Sequence, residues 1–287
     1  MKTLTKILLA SIAVAFLAVK WTAPTFKAES LRGAKVLVTG ASSGIGEQMA
    51  YHYATFGAQI VITARREKVL QQVVEKCLSL GAQKAVYMAA DMSSESDPDR
   101  VVEFAVEQLG GLDYLVLNHI GPSPFSMWEG DVQHLLWLMK VNFLSYAQMA
   151  WKGLPFLEQN KGKLVVVSSL LGKMTSPFVA PYTSTKFALN GFFGTLRHEL
   201  ALKKSNVSIS ICTLGLIDTD AAMEKVKGVT NMPAYPASEA ALKIIMTGAT
   251  GERELFYPWY TYIVTLTKDF FPSISDYVIQ SSYNNIP

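Results

Sequence analysis

Tyr182-Thr-Ser-Thr-Lys186 places a phenol and an ammonium at i and i+4, one turn apart on the same helix face. A phenol with an ordinary pKa of about 10 is a poor base at neutral pH. A cation beside it favours the phenolate and lowers that pKa, which makes Tyr182 a usable general acid or base. Ser168 and Ser169 end the apolar run Leu164-Val-Val-Val167. In an open α/β sheet, ligands lie beyond the carboxyl ends of the strands, so a serine there can hydrogen-bond a substrate oxygen. Each feature alone is commonplace, a solvated Tyr-x-x-x-Lys pair or a turn serine. In this order they point to acid–base chemistry on a substrate oxygen.

An anion site stands earlier, in Lys35-Val-Leu-Val-Thr-Gly-Ala-Ser-Ser-Gly-Ile-Gly46. Val36, Leu37 and Val38 read as a strand buried on both faces. Gly40 permits a tight turn, Gly44 lets backbone approach a pyrophosphate, and Gly46 lets the following helix, to about residue 56, pack on the strand. That helix would aim its N-terminal N–H groups and positive dipole end at the anion. After a second strand, Gln59-Ile-Val-Ile-Thr63, come Ala64, Arg65 and Arg66. An acidic residue there would accept hydrogen bonds from a ribose 2′-hydroxyl, whereas a basic one accommodates a 2′-phosphate. The expected cofactor is therefore NADP.

These groups need a scaffold, and the pattern supplies one. Apolar strands at residues 35–39, 59–63, 85–89, 114–117, 164–167 and 207–212 alternate with helical periods at 67–80, 97–109, 131–157 and 183–202. This order predicts a single α/β domain, a Rossmann-type doubly wound parallel sheet with helices on both faces and right-handed crossovers. At 287 residues, half of them hydrophobic, the chain can bury one large core. A net charge of +3 is too small to suggest a nucleic-acid partner. Cys77 and Cys212 are the two cysteines. With no C-x-x-C or Cys/His cluster, neither a metal site nor a disulfide framework is expected.

Residues 1–30 form an apolar leader. Lys2 and Lys6 precede an apolar run from Ile7 to Val19, and Lys20-Trp21 closes it. As a helix this run spans about 20 Å, short of a ~30 Å hydrocarbon layer, although the flanking lysines and Trp21 could extend its reach. It reads either as an uncleaved signal anchor, the preferred reading, or as a signal peptide cleaved near Ala13-Val-Ala15. The domain from residue 31 to 287 would then face the lumen of the endoplasmic reticulum from a membrane anchor, or be secreted after cleavage. Asn206-Val-Ser208 is a glycosylation acceptor triplet consistent with that side.

Taken together, the motifs resemble the short-chain dehydrogenase/reductases, in order from about Lys35 to Tyr257: Thr39-Gly-Ala-Ser-Ser-Gly-Ile-Gly46, Asp91, Leu117-Asn-His-Ile120, Asn142, Ser169 and Tyr182-Thr-Ser-Thr-Lys186. Within that family, Val141-Asn-Phe-Leu-Ser-Tyr146, Val165-Val-Val-Ser-Ser-Leu170 and Leu214-Gly-Leu-Ile-Asp-Thr219 resemble the 11β-hydroxysteroid dehydrogenases. Gly110-Gly-Leu-Asp-Tyr-Leu-Val-Leu117 and Phe256-Tyr-Pro-Trp259 look closest to its 1-like branch. The resemblance implies an enzyme that moves a hydride between a nicotinamide and a steroid carbon. Tyr182 would exchange a proton with the substrate oxygen, Lys186 would depress its pKa and bind the nicotinamide ribose, Ser169 would position the oxygen, and Asn142 would hold a water in a proton relay. The cofactor would lie against Gly40, Ala41, Ser42, Ser43, Gly44, Ile45 and Gly46, with Arg65 and Arg66 at the phosphate. Asp91 and Met92 would meet the adenine, Asn118, His119 and Ile120 the adjoining ribose, and Gly215, Leu216, Ile217 and Thr219 the nicotinamide end.

Substrate contacts are expected from Ser169, Leu170, Leu171 and the segment 216–235, with Met223 and Val226 on a helical lid. So few polar groups suit a rigid apolar ring system. Leu214-Gly215 stands where many family members have Pro-Gly, and Ser43 where several NADP-using relatives carry a basic residue. Ser176 falls where the type 1 enzyme has a steroid-pocket tyrosine, which leaves the steroid's identity open. The tail from about residue 258 is expected to be helical, and its aromatic residues read as a dimer contact, a membrane-dipping face or an ordinary packed helix. The resemblance favours a homodimer with membrane contact. Two alternatives to an 11β-hydroxysteroid such as cortisol or cortisone remain. One is a dehydrogenase/reductase of retinoids or other hydrophobic carbonyls; the other is a non-catalytic lumenal steroid or lipid binder.

Overall fold

A computed structural model describes residues 25–230 and 232–283. Most of the apolar leader lies outside these residues. Among the described residues, no helix is long and apolar enough to cross a membrane.

The core is a seven-stranded parallel sheet. Its strands are β1 (Lys35–Thr39), β2 (Gln59–Ala64), β3 (Lys84–Ala89), β4 (Tyr114–Leu117), β5 (Lys163–Val167), β6 (Ser208–Leu214) and β9 (Glu254–Tyr257), in the order β3-β2-β1-β4-β5-β6-β9. A short parallel pair, β7 (Ile217–Asp218) with β8 (Tyr235–Pro236), stands beside it. The chain starts outward in one direction from β1 and then crosses to β4 to build the other half. That reversal between β1 and β4 is the crevice where a doubly wound sheet binds ligands.

Alternation along each strand explains how the sheet is covered. Val36, Val38, Ile60, Ile62, Val165 and Val167 point to one apolar core, and Leu37, Val61, Leu164 and Val166 point to the other. The first face is covered by α1 (Gly44–Thr55), α2 (Glu67–Ser79) and α8 (Ala237–Thr250) through Met49, Tyr53, Leu70, Ile244 and Ile245. The second is covered by α3 (Asp97–Leu109), α5 (Ser145–Asn160) and α6 (Ala180–Leu202) through Val101, Ala105, Tyr146, Met149 and Phe193. Because both faces are dry, the central strands lack the polar alternation of a half-exposed sheet.

Two features differ from the sequence expectation. The seventh strand, β9, was not among the expected strands. It is four residues long, begins with Glu254 and lies at the sheet edge, so it has no long apolar run to announce it. The expected continuous helix at 131–157 is divided into α4 (Val132–Met139), a π-helical turn (Lys140–Leu144) and α5. An i→i+5 turn inserts one residue into the helix and shifts the faces that follow it. Asn142 sits in that turn.

Three shorter helices complete the chain. α7 (Asp220–Val226) follows β7, and α9 (Tyr260–Thr267) and α10 (Pro272–Ser281) form the tail.

Candidate active site

A cavity of about 780 Å³ opens beyond the carboxyl ends of the strands, lined by residues from β5, β6, α6, α7 and the tail. Ser169 follows β5, and its hydroxyl accepts a hydrogen bond from Leu171 N at 3.1 Å, which caps the 3₁₀ turn Leu170–Gly172. Pro181 in the first turn helps to start α6, and α6 then presents Tyr182 and Lys186 one turn apart. The Ser169 hydroxyl stands beside the Tyr182 phenol closely enough to lower its pKa. Ser169, Tyr182 and Lys186 all line the cavity.

The electrostatics of this pair differ from the sequence expectation. Burial pushes the Tyr182 phenol up to about 12, with the Ser169 hydroxyl pulling the other way. Lys186 does not reverse this shift. Its Nζ donates to the Val167 carbonyl at 3.0 Å and lies over the Tyr182 ring, 5.5 Å from the centroid. Lys186 is itself 1% exposed, and burial draws its ammonium down to about 7. A cation that is losing its own charge to desolvation stabilises a neighbouring phenolate poorly.

Asn142 is fully buried, and its side chain is committed within the scaffold. Oδ1 accepts from Gly121 N at 2.7 Å, and Nδ2 donates to Thr185 Oγ1 at 3.3 Å. The amide thus ties the loop after β4 to α6, and Asn142 does not line the cavity.

His119 plays a similar role in the sequence's Asn118–Ile120 stretch. Nδ1 lies 2.8 Å from Thr39 Oγ1, and Nε2 lies 2.8 Å from Ser145 Oγ and 3.1 Å from the Val141 carbonyl. A carbonyl can only accept, so the network is satisfied with the proton on Nε2 and Thr39 donating to Nδ1. Burial, then the Lys186 charge, hold the imidazole down to about 3. Its side chain joins β1 to the π turn and does not line the cavity. Asn118 and Ile120, on either side, do.

The glycine-rich turn has the shape its spacing implied. Gly40 lies at φ +66°, where a Cβ would come within 2.7 Å of His119 Cα. A Cβ on Gly46 would collide with the Gly40 carbonyl oxygen and approach Asn118 Nδ2 to 2.7 Å, so only glycine lets α1 start this close to β1. Ser43 occupies the N-cap of α1 without a side-chain cap bond, which leaves the first-turn N–H groups as donors for an anion. Ile45 reaches the cavity, whereas Ala41 is buried in the core.

The two arginines are not equivalent. Arg66 Nη2 donates to Ser42 O and Ser42 Oγ, each at 3.0 Å, and so is tied to the glycine-rich turn. Arg65 is exposed and makes no hydrogen bond or ion pair among the described residues. Its charge acts on Asp91, whose carboxyl is held low. Burial raises that group, but the Ser93 N–H, the Ser93 hydroxyl and Arg65 outweigh it. Met92 is 5% exposed and packs in the core, so its side chain is not free for a ligand.

Across the cavity, Gly215, Leu216, Ile217 and Thr219 follow β6 and line it. A Cβ on Gly215 would meet Tyr260 Oη at 2.5 Å, because the tail packs against this turn. The Thr219 hydroxyl caps α7 through Ala222 N at 3.3 Å. On α7, Ala222, Lys225 and Val226 line the cavity, and Met223 does not. Residues 222, 225 and 226 share one helical face, which turns position 223 outward, so the expected substrate contact from Met223 is replaced by Ala222 and Val226. Leu171 lines the cavity as expected.

The profile of the short chain dehydrogenase family matches residues 34–230. The chain belongs to the short-chain dehydrogenase/reductase family. It is 68% identical, over the whole of both chains, to the hydroxysteroid 11-beta-dehydrogenase 1-like protein of Danio rerio. A short-chain dehydrogenase/reductase from Burkholderia phymatum, solved with NAD, superposes with a TM-score of 0.76 at 18% identity, covering 85% of this chain and 95% of that one. A short-chain dehydrogenase from Burkholderia cenocepacia, solved with NADP, gives 0.70 at 24% identity, covering 78% and 96%. These two structures share the fold.

In this short-chain dehydrogenase the part of the site that sequence reasoning missed comes from the tail. Phe271, Ile274, Val278, Ile279 and Tyr283 all line the cavity. Phe271, Ile274 and Val278 stand three and four residues apart, a readable helical stripe, but nothing in the sequence says which surface such a stripe covers. Among the described residues, no group of three His, Cys, Asp or Glu side chains could hold a metal ion.

Proposed function

We propose that this oxidoreductase transfers a hydride between NADP and the carbon of a hydrophobic alcohol or ketone, specifically an 11β-hydroxysteroid such as cortisol or cortisone. The observation that carries the reading is the Ser169–Tyr182–Lys186 array opening into a largely apolar cavity of about 780 Å³, large enough for a rigid multi-ring substrate. The name of the Danio rerio relative supports the steroid class.

The glycine-rich turn and the uncapped N-terminus of α1 fit a pyrophosphate, and the uncommitted Arg65 fits a 2′-phosphate. When bound there, the nicotinamide supplies or accepts the hydride. The chain's own groups handle the oxygen. Ser169 and Tyr182 hold it by hydrogen bonds, Tyr182 gives its proton during reduction and takes one during oxidation, and Lys186 positions the ribose. Asn118 and Ile120 border the same space. Asn142 supports this geometry from behind by fixing Gly121 and Thr185. The enzyme accelerates both directions equally, so the NADPH/NADP ratio sets net flux.

The setting is the endoplasmic reticulum membrane, with the domain facing the lumen. Exposed Asn206, in the loop before β6, is open to glycosylation. Trp259, Phe270 and Tyr277 are exposed on the tail and support membrane contact, while exposed Trp151, Phe187 and Phe192 on α5 and α6 support a homodimer.

Spectrophotometric turnover with cortisol and NADP, and with cortisone and NADPH, tests the reading, with NAD and retinol as controls. Turnover of a steroid with the phosphorylated cofactor only supports it. Turnover of retinol alone moves the substrate class to retinoids, and cofactor binding without turnover of any of them overturns the steroid assignment.

A further inference from the structure

Lys186 is a buried cation without a carboxylate. It is 1% exposed, and none of the ion pairs among the described residues involves it. The Val167 carbonyl takes one of its three N–H groups. A single carbonyl is thin support for an ammonium taken out of water.

The remaining support comes from aromatic faces. Nζ lies over the Tyr182 ring, 5.5 Å from its centroid, and over the Tyr146 ring, 5.8 Å from its centroid. Both distances fall within the ~6 Å over which the negative face of a ring attracts a cation. Tyr182 stands on α6, the helix of Lys186 itself. Tyr146 comes from α5, and no step of the proposed reaction uses it.

Tyr146 is built into that place. It is fully buried, its hydroxyl donates to the His119 carbonyl at 2.7 Å, and its ring tilts against the His119 imidazole with 4.4 Å between centroids. His119 is in turn bonded to Thr39, Ser145 and Val141, so the ring is braced by β1 and by the π turn that leads into α5. Burial, then the neighbouring Tyr182, hold the Tyr146 phenol well above its ordinary range. Tyr146 therefore meets the ammonium as a neutral ring and not as a phenolate.

The titratable groups around Lys186 are Tyr182 from α6, Tyr146 from α5 and His119 from the loop after β4, and β5 contributes the Val167 carbonyl. At neutral pH all three are uncharged. With no anion to hold it, the cation depends on the ring faces, which attract most where water is excluded.

We propose that Tyr146 is a positioning residue that acts through Lys186: its ring face holds the ammonium, as a cation, against the end of β5. This deepens the proposed function and rests on its reading of Lys186 as the lysine that positions the cofactor ribose.

The test uses full-length protein carrying lysine labelled with carbon-13 at Cε, with the Lys186 signal assigned by its loss in Lys186→Met, and follows its titration by NMR without cofactor. Tyr146→Phe keeps the face and removes only the hydroxyl. Phenylalanines with successively more ring fluorines, placed at position 146 by nonsense suppression, keep the shape and cancel the negative face step by step. From a wild-type midpoint of about 7, Tyr146→Phe should leave the midpoint in place, and the fluorinated series should lower it by roughly half to one pH unit in all. NADP affinity, read by fluorescence titration, is the second readout. Because the weakened ammonium loses its proton earlier, the fully fluorinated ring should cost roughly three- to tenfold in affinity at pH 8 and about twofold or less at pH 6. A midpoint that stays put along the series, an equal fall in Tyr146→Phe, or an equal loss of affinity at both pH values would overturn the proposal. A falling midpoint with NADP affinity unchanged at both pH values would instead count against the ribose-positioning role of Lys186 and leave the hold of the ring on the ammonium standing.

Discussion

Lys186 Nζ donates to the carbonyl of Val167 at 3.0 Å and faces the Tyr182 ring, 5.5 Å from its centroid, with no hydrogen bond to the Tyr182 hydroxyl. The lysine is anchored to the end of β5, the same strand end that delivers Ser169. Strand and helix therefore fix the three groups relative to one another. In the proposed reaction Tyr182 alone would carry a proton to or from the substrate oxygen. Tyr182→Phe should lower kcat by on the order of 10²–10⁴-fold while cofactor affinity, read by fluorescence titration, stays nearly unchanged. Retention of most of the activity would remove Tyr182 from the acid–base role.

Burial of Lys186 makes stability depend on pH in a definite direction. Its folded pKa, about 7, lies below its ordinary 10.5, so between those values the unfolded chain holds more protons. The destabilising contribution is present in full below about 7 and is relieved as pH rises towards 10.5. Lys186→Met removes this term. Denaturant unfolding should show wild type gaining on the variant by on the order of 1 kcal/mol per pH unit above neutrality. A difference that stays flat with pH would show that the ammonium is solvated.

His119 gives a slope of the same sign in a more acid window. Its folded pKa, about 3, lies below its ordinary 6.5, so its contribution is whole above 6.5 and fades as pH falls towards 3. Protonation would put a second donor on Nδ1 and a charge near Lys186. Wild type should lose stability over this window by on the order of 1 kcal/mol per pH unit relative to His119→Gln. Parallel acid-unfolding curves for the two proteins would contradict the buried network.

The two arginines should separate by function. Arg65 has no partner within the described chain, so Arg65→Ala should weaken NADP binding by roughly 10–100-fold and leave NAD binding unchanged, the loss of one charge-assisted contact. Arg66 braces Ser42 at 3.0 Å, so Arg66→Ala should weaken both cofactors alike by loosening the turn. Titration of each variant with both cofactors distinguishes the two roles. Equal effects of Arg65→Ala on NAD and NADP would end its assignment to the 2′-phosphate.

Much of this protein is local in origin, and the sequence by itself determined that part. Val36, Leu37 and Val38 followed by Gly40, Gly44 and Gly46 define a buried strand, a left-handed turn and a helix start through neighbouring residues alone. Tyr182 and Lys186 share a face because 3.6 residues make a turn. Ser169 falls at a strand end because the apolar run stops there. Alternating strand and helix periods impose a parallel sheet, since each crossover must pack back onto it.

What only the tertiary structure decided depends on contacts between distant segments. Whether Lys186 lowers or fails to lower the Tyr182 pKa is set by desolvation, which a sequence spacing does not contain. Asn142 is set into the scaffold by its place in a π turn, and His119 by its bonds to Thr39, Ser145 and Val141. Met223 faces outward because the direction of α7 is fixed by β7 and the Thr219 cap. Tyr283 reaches Ser176 across more than one hundred residues only because α9 and α10 fold back over the cavity. Helical spacing gives a stripe its face, but the surface it buries against is chosen by the packing of the whole chain.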